Sequence, residues 1–280
     1  MYNIRYHIAS LVAVFLALAL GLVLGGLVVR QGGFDAQQSA IVTGLQKDFG
    51  KLKKQNTALK SDLVFETGYA DQMTNHWVAG RLAGRSVLII TTPKNPAGDA
   101  AVGAVKDAGG NAAVVSVLKP EFGLADKIMA SQLRSILGTS TDLKTTVPSA
   151  LASEWSRPDV ARPVTDVLQK AGAITITGLS ASMGATQVVD VATFDGKPDA
   201  LALDVAQNYA AAGLFALGAQ TPDPDTGVAA AAAARRLSAF DTLGTNAGRF
   251  TLVALFTGGE QGFYSADANS TAKYPPVPQP

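Results

Sequence analysis

The feature that most constrains this chain is the apolar run over residues 8–29. Ser10 is the only clearly polar side chain in it. At about 1.5 Å of rise per residue, a helix of this length matches the roughly 30 Å hydrocarbon layer of a bilayer. We therefore predict a single membrane-spanning helix. A cleaved signal sequence is the alternative, because Ala17-Leu18-Ala19 resembles a cleavage site, but signal cores are typically about 7 to 15 residues long.

Small residues recur at every fourth position of this run and would line one ridge of the helix: Ala9, Ala13, Ala17, Gly21 and Gly25. A ridge of this kind lets two membrane helices approach closely. The pattern predicts that Gly21 and Gly25 belong to a helix–helix interface in lipid. The alternative is that alanine and glycine are simply frequent here.

A heptad pattern follows the Gly32-Gly33 joint and reaches to about Trp77. Its a positions are Val42, Phe49, Asn56 and Leu63, and its d positions are Leu45, Leu52, Leu59 and Glu66. Asparagine at an a position favours a parallel two-stranded coiled coil, where it pairs with its own copy and fixes the register. Against this, Gly44 and Gly50 each cost about 1 kcal/mol of helix propensity.

We predict a parallel homodimer through Gly21, Gly25, Val42, Leu45, Phe49, Leu52, Asn56, Leu59 and Leu63. The alternative is that the apolar stripe packs on the globular part of the same chain. Five lysines also lie in the heptad segment, at positions 47, 51, 53, 54 and 60. We interpret them as its solvated face, with attraction to anionic lipid or wall polymers as the alternative.

Composition excludes several classes of function. The formal net charge of +1 gives no sign of a nucleic-acid partner. The chain has no cysteine, which excludes disulfides, thiolate catalysis and cysteine-based metal sites and fits an extracytoplasmic domain. The positive charges that flank the apolar run, Arg5 and Arg30, are nearly balanced and leave its orientation undecided.

Strand and helix patterns alternate after residue 79. Two buried strands, Ser86–Thr91 and Asn111–Val117, flank a helical pattern over residues 97–108. Further strands are expected at 173–177, 187–194, 214–217 and 237–240, of which 187–194 reads as an edge strand or hairpin arm and 237–240 as the last strand. Helices are expected at 125–137, 199–212, 226–236 and 245–256. The region 149–171 also reads as helical, with Pro158 and Pro163 interrupting or starting helices within it. This alternation predicts a doubly wound, mostly parallel, Rossmann-like α/β sheet.

The predicted organisation has four parts. Residues 1–33 form the membrane anchor and joint, and residues 34–78 form the coiled coil. Residues 79–258 form the α/β domain, which is long enough to bury a core. Residues 259–280 form a proline-rich tail.

The predicted strand-end loops carry no recognisable catalytic motif. The loop TTPKNPAG over residues 91–98 lacks both dinucleotide and P-loop spacing. Gly178-Leu179-Ser180-Ala181-Ser182 resembles a nucleophile elbow, but Ser182 replaces its second glycine. Neither histidine, His7 or His76, lies in the α/β segment to serve as a base. We predict that the chain is not an enzyme and needs no cofactor.

Two weaker hypotheses concern ligands. A strand-end cleft with Thr92, Asn95, Ser180 and Gln220 would instead support an enzyme or a small-molecule sensor. Met73 and His76 lie three residues apart and would share a helix face, where two chains together could present ligands suited to copper. The plain alternative is a core methionine and a solvent-facing histidine.

The sequence resembles the actinobacterial copper transporter family named for mycobacterial copper transport protein B (MctB). The similarity lies in the opening block YNIRYHIASLVAVFLALALG over residues 2–21, the heptad segment behind it, Phe240-Asp241-Thr242 through Gly248-Arg249-Phe250, and Gly262-Phe263-Tyr264.

The resemblance implies a protein anchored in the cell membrane with its α/β domain outside the cytoplasm, linked to copper homeostasis or efflux. It also implies an alternative, since some relatives are tied to envelope maintenance through a membrane partner that controls peptidoglycan hydrolysis. The expected partners are membrane lipid, a second copy of the chain, and an envelope or membrane protein. Copper is the one cofactor that the resemblance suggests.

Overall fold

The computed structural model describes residues 4–30, 33–138, 142–180, 182–222, 225–265 and 270–278. Gly32 of the predicted joint and Ala181 of the elbow-like segment lie outside these ranges. The chain divides into two compact units, Met1–Gly68 and Tyr69–Pro280. The limits of the four predicted parts stay a prediction.

The first unit is helical. Helix α1 spans Ile4–Arg30, and helix α2 begins at Gly33 and ends at Val78, so that its last turns belong to the second unit. Within α1, His7–Leu27 has a mean hydropathy of 2.7, which is long and apolar enough to cross a membrane by length and composition. The helix α2 persists through Gly44, Gly50 and Gly68.

The second unit is built on a sheet of seven strands. The strands are β1 Ser86–Thr91, β2 Asn111–Val117, β3 Ile174–Thr177, β4 Gln187–Asp190, β7 Phe215–Ala219, β8 Ser238–Phe240 and β9 Phe263–Tyr264. Their order is β3-β2-β1-β4-β7-β8-β9, and every neighbouring pair is parallel except β2 with β3. A short hairpin of β5 Thr193–Phe194 and β6 Lys197–Pro198 follows β4. The prediction of a mixed α/β fold with a mostly parallel sheet is confirmed.

Helices cover both faces of this sheet. They are α3 Pro96–Asp107, α4 Lys127–Leu137, α5 Leu143–Ser156, α6 Pro163–Lys170, α7 Ala200–Ala211, α8 Val228–Ala234 and α9 Asn246–Phe256, with a 3₁₀ turn at Pro120–Gly123. Alternate residues of β1 face opposite cores. Val87 and Ile89 pack with α3 and α9, and Leu88 and Ile90 pack with α4 to α8. Continuous apolar strands such as β1 arise because both of their faces are buried.

Two expectations about strands were wrong. Residues 187–190 form a central strand, because β4 pairs with both β1 and β7 and all four of its residues are buried. The sequence did not indicate this central position, because Gln187 and Asp190 are polar and interrupt the apolar pattern. The hairpin reading is confirmed for Thr193–Phe194. Strand β8 is not the last, since Phe263–Tyr264 pairs with it in parallel from within the predicted tail.

The last turns of α2 pack against Arg249 and Phe250, which lie in the 240–250 segment that resembles the MctB family. The Arg249 guanidinium donates to Asn75 at 2.8 Å and to Asp107 at 3.3 Å, and it also pairs with Asp71. The rings of Trp77 and Phe250 lie 4.6 Å apart between centroids. The block that carries the family resemblance therefore has a structural role.

Candidate functional site

The order in which successive strands are added to the sheet reverses between β1 and β4. The chain leaves β1 through α3 toward β2, and it leaves β4 through α7 toward β7 on the other side. Helices α3 and α7 accordingly lie on opposite faces. In open α/β sheets this switch point opens a crevice beyond the carboxyl ends of the strands, where ligands bind.

A cavity of about 270 Å³ occupies this crevice. The residues that line it come from the loop after β1, the hairpin after β4 and the segment after β7: Thr92, Pro93, Lys94, Asn95, Pro96, Ala97, Val191, Thr193, Gly196, Ala219, Thr221 and Thr226. Lys94 is the one charged residue among the described residues of this lining. The cavity therefore combines an ammonium group and several hydroxyls with an apolar floor.

Asn95 holds the crevice in shape. Its Nδ2 donates to the carbonyl oxygen of Val191 at 2.7 Å, which ties the loop after β1 to the segment after β4. Its Oδ1 accepts from the backbone N–H of Ala97 at 3.0 Å and caps α3. Both polar atoms of the amide are thus engaged within the protein, and Asn95 positions the site.

The four residues of the predicted cleft do not all meet. Thr92 and Asn95 line the crevice, and Gln220 lines a neighbouring cavity of about 310 Å³. Gln220 donates to Asp225 at 2.7 Å and accepts from the N–H of Ala229 at 3.0 Å. These bonds brace the start of α8. The hydrogen bond from Gln220, with a further one from the Gly227 N–H, lowers the pKa of Asp225 from its ordinary value.

Ser180 follows β3 and lies at the end of the sheet where the parallel strands begin, whereas the crevice lies where they end. Because β3 is antiparallel to β2, the end of β3 lies beside the beginning of β2, where Gly178 approaches the carbonyl of Ala112. Ser180 accepts a hydrogen bond from Arg162 at its carbonyl oxygen, and its hydroxyl lies 3.1 Å from that of Ser182. It is separated from the crevice.

Sequence reasoning missed Asp190, the last residue of β4. Its side chain is fully buried, its Oδ1 accepts from the N–H of Ala192 at 3.0 Å, and its Oδ2 has no partner among the described residues. Burial raises the pKa of this carboxyl well above its ordinary value, and the nearby Asp199 adds to the effect. The N–H of Ala192 and the charge of Arg235 act in the opposite direction.

We predict that Asp190→Asn stabilises the protein at neutral pH. The folded pKa lies above the unfolded value of about 3.9, so the free energy of unfolding falls as the pH rises from that value toward the folded pKa. The amide keeps the bond to Ala192 and cannot ionise. Thermal unfolding should show a higher midpoint for the variant at pH 7 and no advantage near pH 4. Parallel pH profiles for the two proteins would contradict this reading.

The predicted interface residues lie on α1 and α2. In the described chain the apolar seam residues of α2 are all exposed: Val42, Leu45, Phe49, Leu52, Leu59 and Leu63, at 51–69%. Gly21 and Gly25 have no atom within 4 Å of an added Cβ, so the ridge they form is open to a close neighbour. These surfaces are candidate interfaces between chains.

Met73 and His76 lie near the end of α2. Met73 is 48% exposed and His76 is also exposed. Within the described ranges, no group of three or more His, Cys, Asp or Glu side chains could hold a metal ion. A thioether and an imidazole from one chain are too few for a closed transition-metal site.

The structure thus defines a class of protein. It has one N-terminal helix with the length and composition to cross a membrane, a long helix with an exposed apolar stripe, and an α/β unit with a strand-end crevice. The sequence matches the family described as "Copper transport outer membrane protein, MctB" over residues 1–275. The chain belongs to the MctB family.

Relatives named "Copper transporter MctB" occur in Mycobacterium tuberculosis and Mycobacterium bovis. Each is 34% identical to this chain over 146 residues. The matched region covers 50% of this chain and 44% of each relative, so it spans less than half the length of those proteins. No solved structure matches the chain significantly. Family membership and the helix α1 are consistent with membrane anchoring.

Proposed function

We propose that this chain is a non-enzymatic, single-pass membrane protein that forms a parallel homodimer and holds its α/β unit outside the cytoplasm. The exposed seam of α2 is the observation that carries the proposal, since its six apolar side chains recur at a and d positions. Burial against a second copy would contribute roughly 25 cal/mol for each Å² of apolar surface removed from water.

Asn56 supports the parallel arrangement. It sits at an a position with apolar neighbours along the seam before and after it, and its side chain is exposed in the single chain. A buried asparagine at this position is disfavoured unless it meets its own copy across a two-stranded parallel interface. The residue therefore sets the register of the dimer.

Cysteine cross-linking tests this proposal, because the chain contains no cysteine of its own. A single Asn56→Cys thiol can form a disulfide only with a second chain, and equivalent a positions of a parallel dimer face each other. We expect mild oxidation in membranes to give mostly cross-linked dimer with this variant. The control Lys54→Cys, two residues away on the outer face, should stay mostly monomeric.

Two results would contradict the parallel dimer. One is the absence of cross-linking with Asn56→Cys. The other is equal cross-linking with Asn56→Cys and Lys54→Cys, which would indicate random encounters in the membrane.

The family name supports a role in copper homeostasis, and we propose that this role is indirect or needs several chains. The sequence has no cysteine, two histidines and four methionines, so soft ligands are scarce. One spanning helix per chain also cannot enclose a pore alone. In the dimer, Met73 and His76 of both chains together would supply four donors.

The scarcity of soft ligands favours a second candidate function. Here the dimer is a scaffold that works with a membrane partner in the control of peptidoglycan hydrolysis. Crosslinking in cells and identification of the proteins bound to the α/β unit separates the two roles. Regulators of wall hydrolases would support the scaffold, and metal-handling proteins would support copper homeostasis.

A further inference from the structure

We propose that the crevice at the switch point binds a small oxyanion, a phosphate or carboxylate group on a small molecule, through Lys94 and Thr92. Nothing in the family description or in the names of the relatives assigns this site. The inference rests on the sheet unit and does not depend on the dimer.

Lys94 is held in a conformation that its residue type does not favour. Its φ is 57°, in the left-handed region that glycine and asparagine adopt most readily. Backbone strain of this kind persists where the surrounding structure enforces it and clusters at ligand sites. Lys94 makes no ion pair within the described ranges, and none of the described residues that line the cavity with it carries a carboxylate. Its ammonium is available to an anion.

Thr92 brings a hydroxyl to the same cavity. Its side chain is only 9% exposed, and its hydroxyl takes part in none of the hydrogen bonds among the described residues. The hydroxyl is not one of the fully buried polar atoms that lack a partner, so it reaches the solvent-accessible space of the cavity. The hydroxyl lines the cavity and can donate to an anion that Lys94 holds.

The size and walls of the cavity limit the ligand. A volume of about 270 Å³ is near the lower end of the range for small-molecule pockets, so the cavity admits a small ligand group. Asn95 already occupies the N–H of Ala97 at the start of α3. Thr193 and Thr226 also line the cavity and can contact the rest of the ligand.

Titration of the full-length protein in mild detergent tests the site. Sodium phosphate and sodium acetate are the two probes, each at constant ionic strength, followed by calorimetry and thermal unfolding. We expect saturable binding of one probe, about tenfold weaker binding by Lys94→Ala, and several-fold weaker binding by Thr92→Val. Lys106→Ala, at the far end of α3, should bind like the wild type. The preferred probe tells a phosphoryl ligand from a carboxylate.

A second readout separates binding from a purely structural role. Without ligand, Lys94→Gly should unfold at the same temperature as the wild type or higher, because glycine relieves the left-handed backbone. Thr92→Val should unfold at about the wild-type temperature, because the hydroxyl loses no hydrogen bond among the described residues. A lower unfolding temperature for both would overturn the proposal. So would the absence of saturable binding of either probe, or undiminished binding by Lys94→Ala. Dimer cross-linking is unaffected by these variants, so failure here leaves the proposed function intact.

Discussion

Replacing Glu154 by alanine is expected to lower the free energy of unfolding by about 3 kcal/mol or more, since three buried donors lose their acceptor at about 1 to 3 kcal/mol each. Glu154 is only 7% exposed near the end of α5, and its carboxylate caps α6. One oxygen accepts from the N–H of Val164 at 2.9 Å, and the other accepts from the N–H of Thr165 at 2.9 Å and its hydroxyl at 2.6 Å. Alanine leaves these buried donors without an acceptor.

The same cluster includes the largest buried side chain of the unit. The indole N–H of Trp155 donates to the Thr165 hydroxyl at 2.9 Å, so Thr165 links the tryptophan to the carboxylate. Loss of Glu154 therefore frees the hydroxyl that anchors Trp155. Chemical denaturation of Glu154→Ala in a Trp77→Phe background, with the fluorescence of Trp155 as the probe, measures the change against the same background with Glu154 intact.

Glu154→Gln is the matched control. The amide keeps one acceptor oxygen, so its loss of stability should be smaller than that of Glu154→Ala. A loss below about 1 kcal/mol for the alanine variant would show that water replaces the carboxylate as the cap, and the predicted role would be wrong.

Sequence patterns predicted the strands whose faces are both apolar and failed where buried polar residues interrupt them. Strand β1 was identified because it is continuously apolar and β-branched. Strand β4 was misassigned to an edge because Gln187 and Asp190 are polar, although both are buried in the sheet. The Gln187 side chain is accommodated by donating to the carbonyl of Phe256, which is 69 residues away and invisible to local pattern.

The candidate site was predictable only in part, for a similar reason. The rule that ligands lie beyond the carboxyl ends of parallel strands led to Thr92 and Asn95, which line the crevice. The same rule misplaced Ser180, because the sequence of β3 does not reveal its antiparallel direction. The left-handed backbone of Lys94 could not be predicted from the sequence, because lysine is a residue type that disfavours this conformation.

The double substitution Leu52→Ala with Leu59→Ala is expected to convert the proposed dimer into a monomer. Both leucines occupy d positions and are 60% and 68% exposed in the single chain, so only a second copy would bury them along this seam. Truncating a buried leucine to alanine typically costs 2 to 5 kcal/mol, and the dimer loses four leucines. Even at about 1 kcal/mol each, the dissociation constant should rise by roughly a thousandfold.

Alanine is the best helix former, so the variant preserves α2 itself and isolates the contribution of the seam. The matched control is Lys54→Ala, which changes an outward position of the same helix and should leave the dimer intact. Light scattering of the full-length proteins in mild detergent gives the mass of each. A wild-type monomer, or a double variant that stays dimeric, would remove the seam as the basis of assembly. If the double variant stays dimeric, the Gly21 and Gly25 ridge of α1 is the surface that remains to hold two chains together.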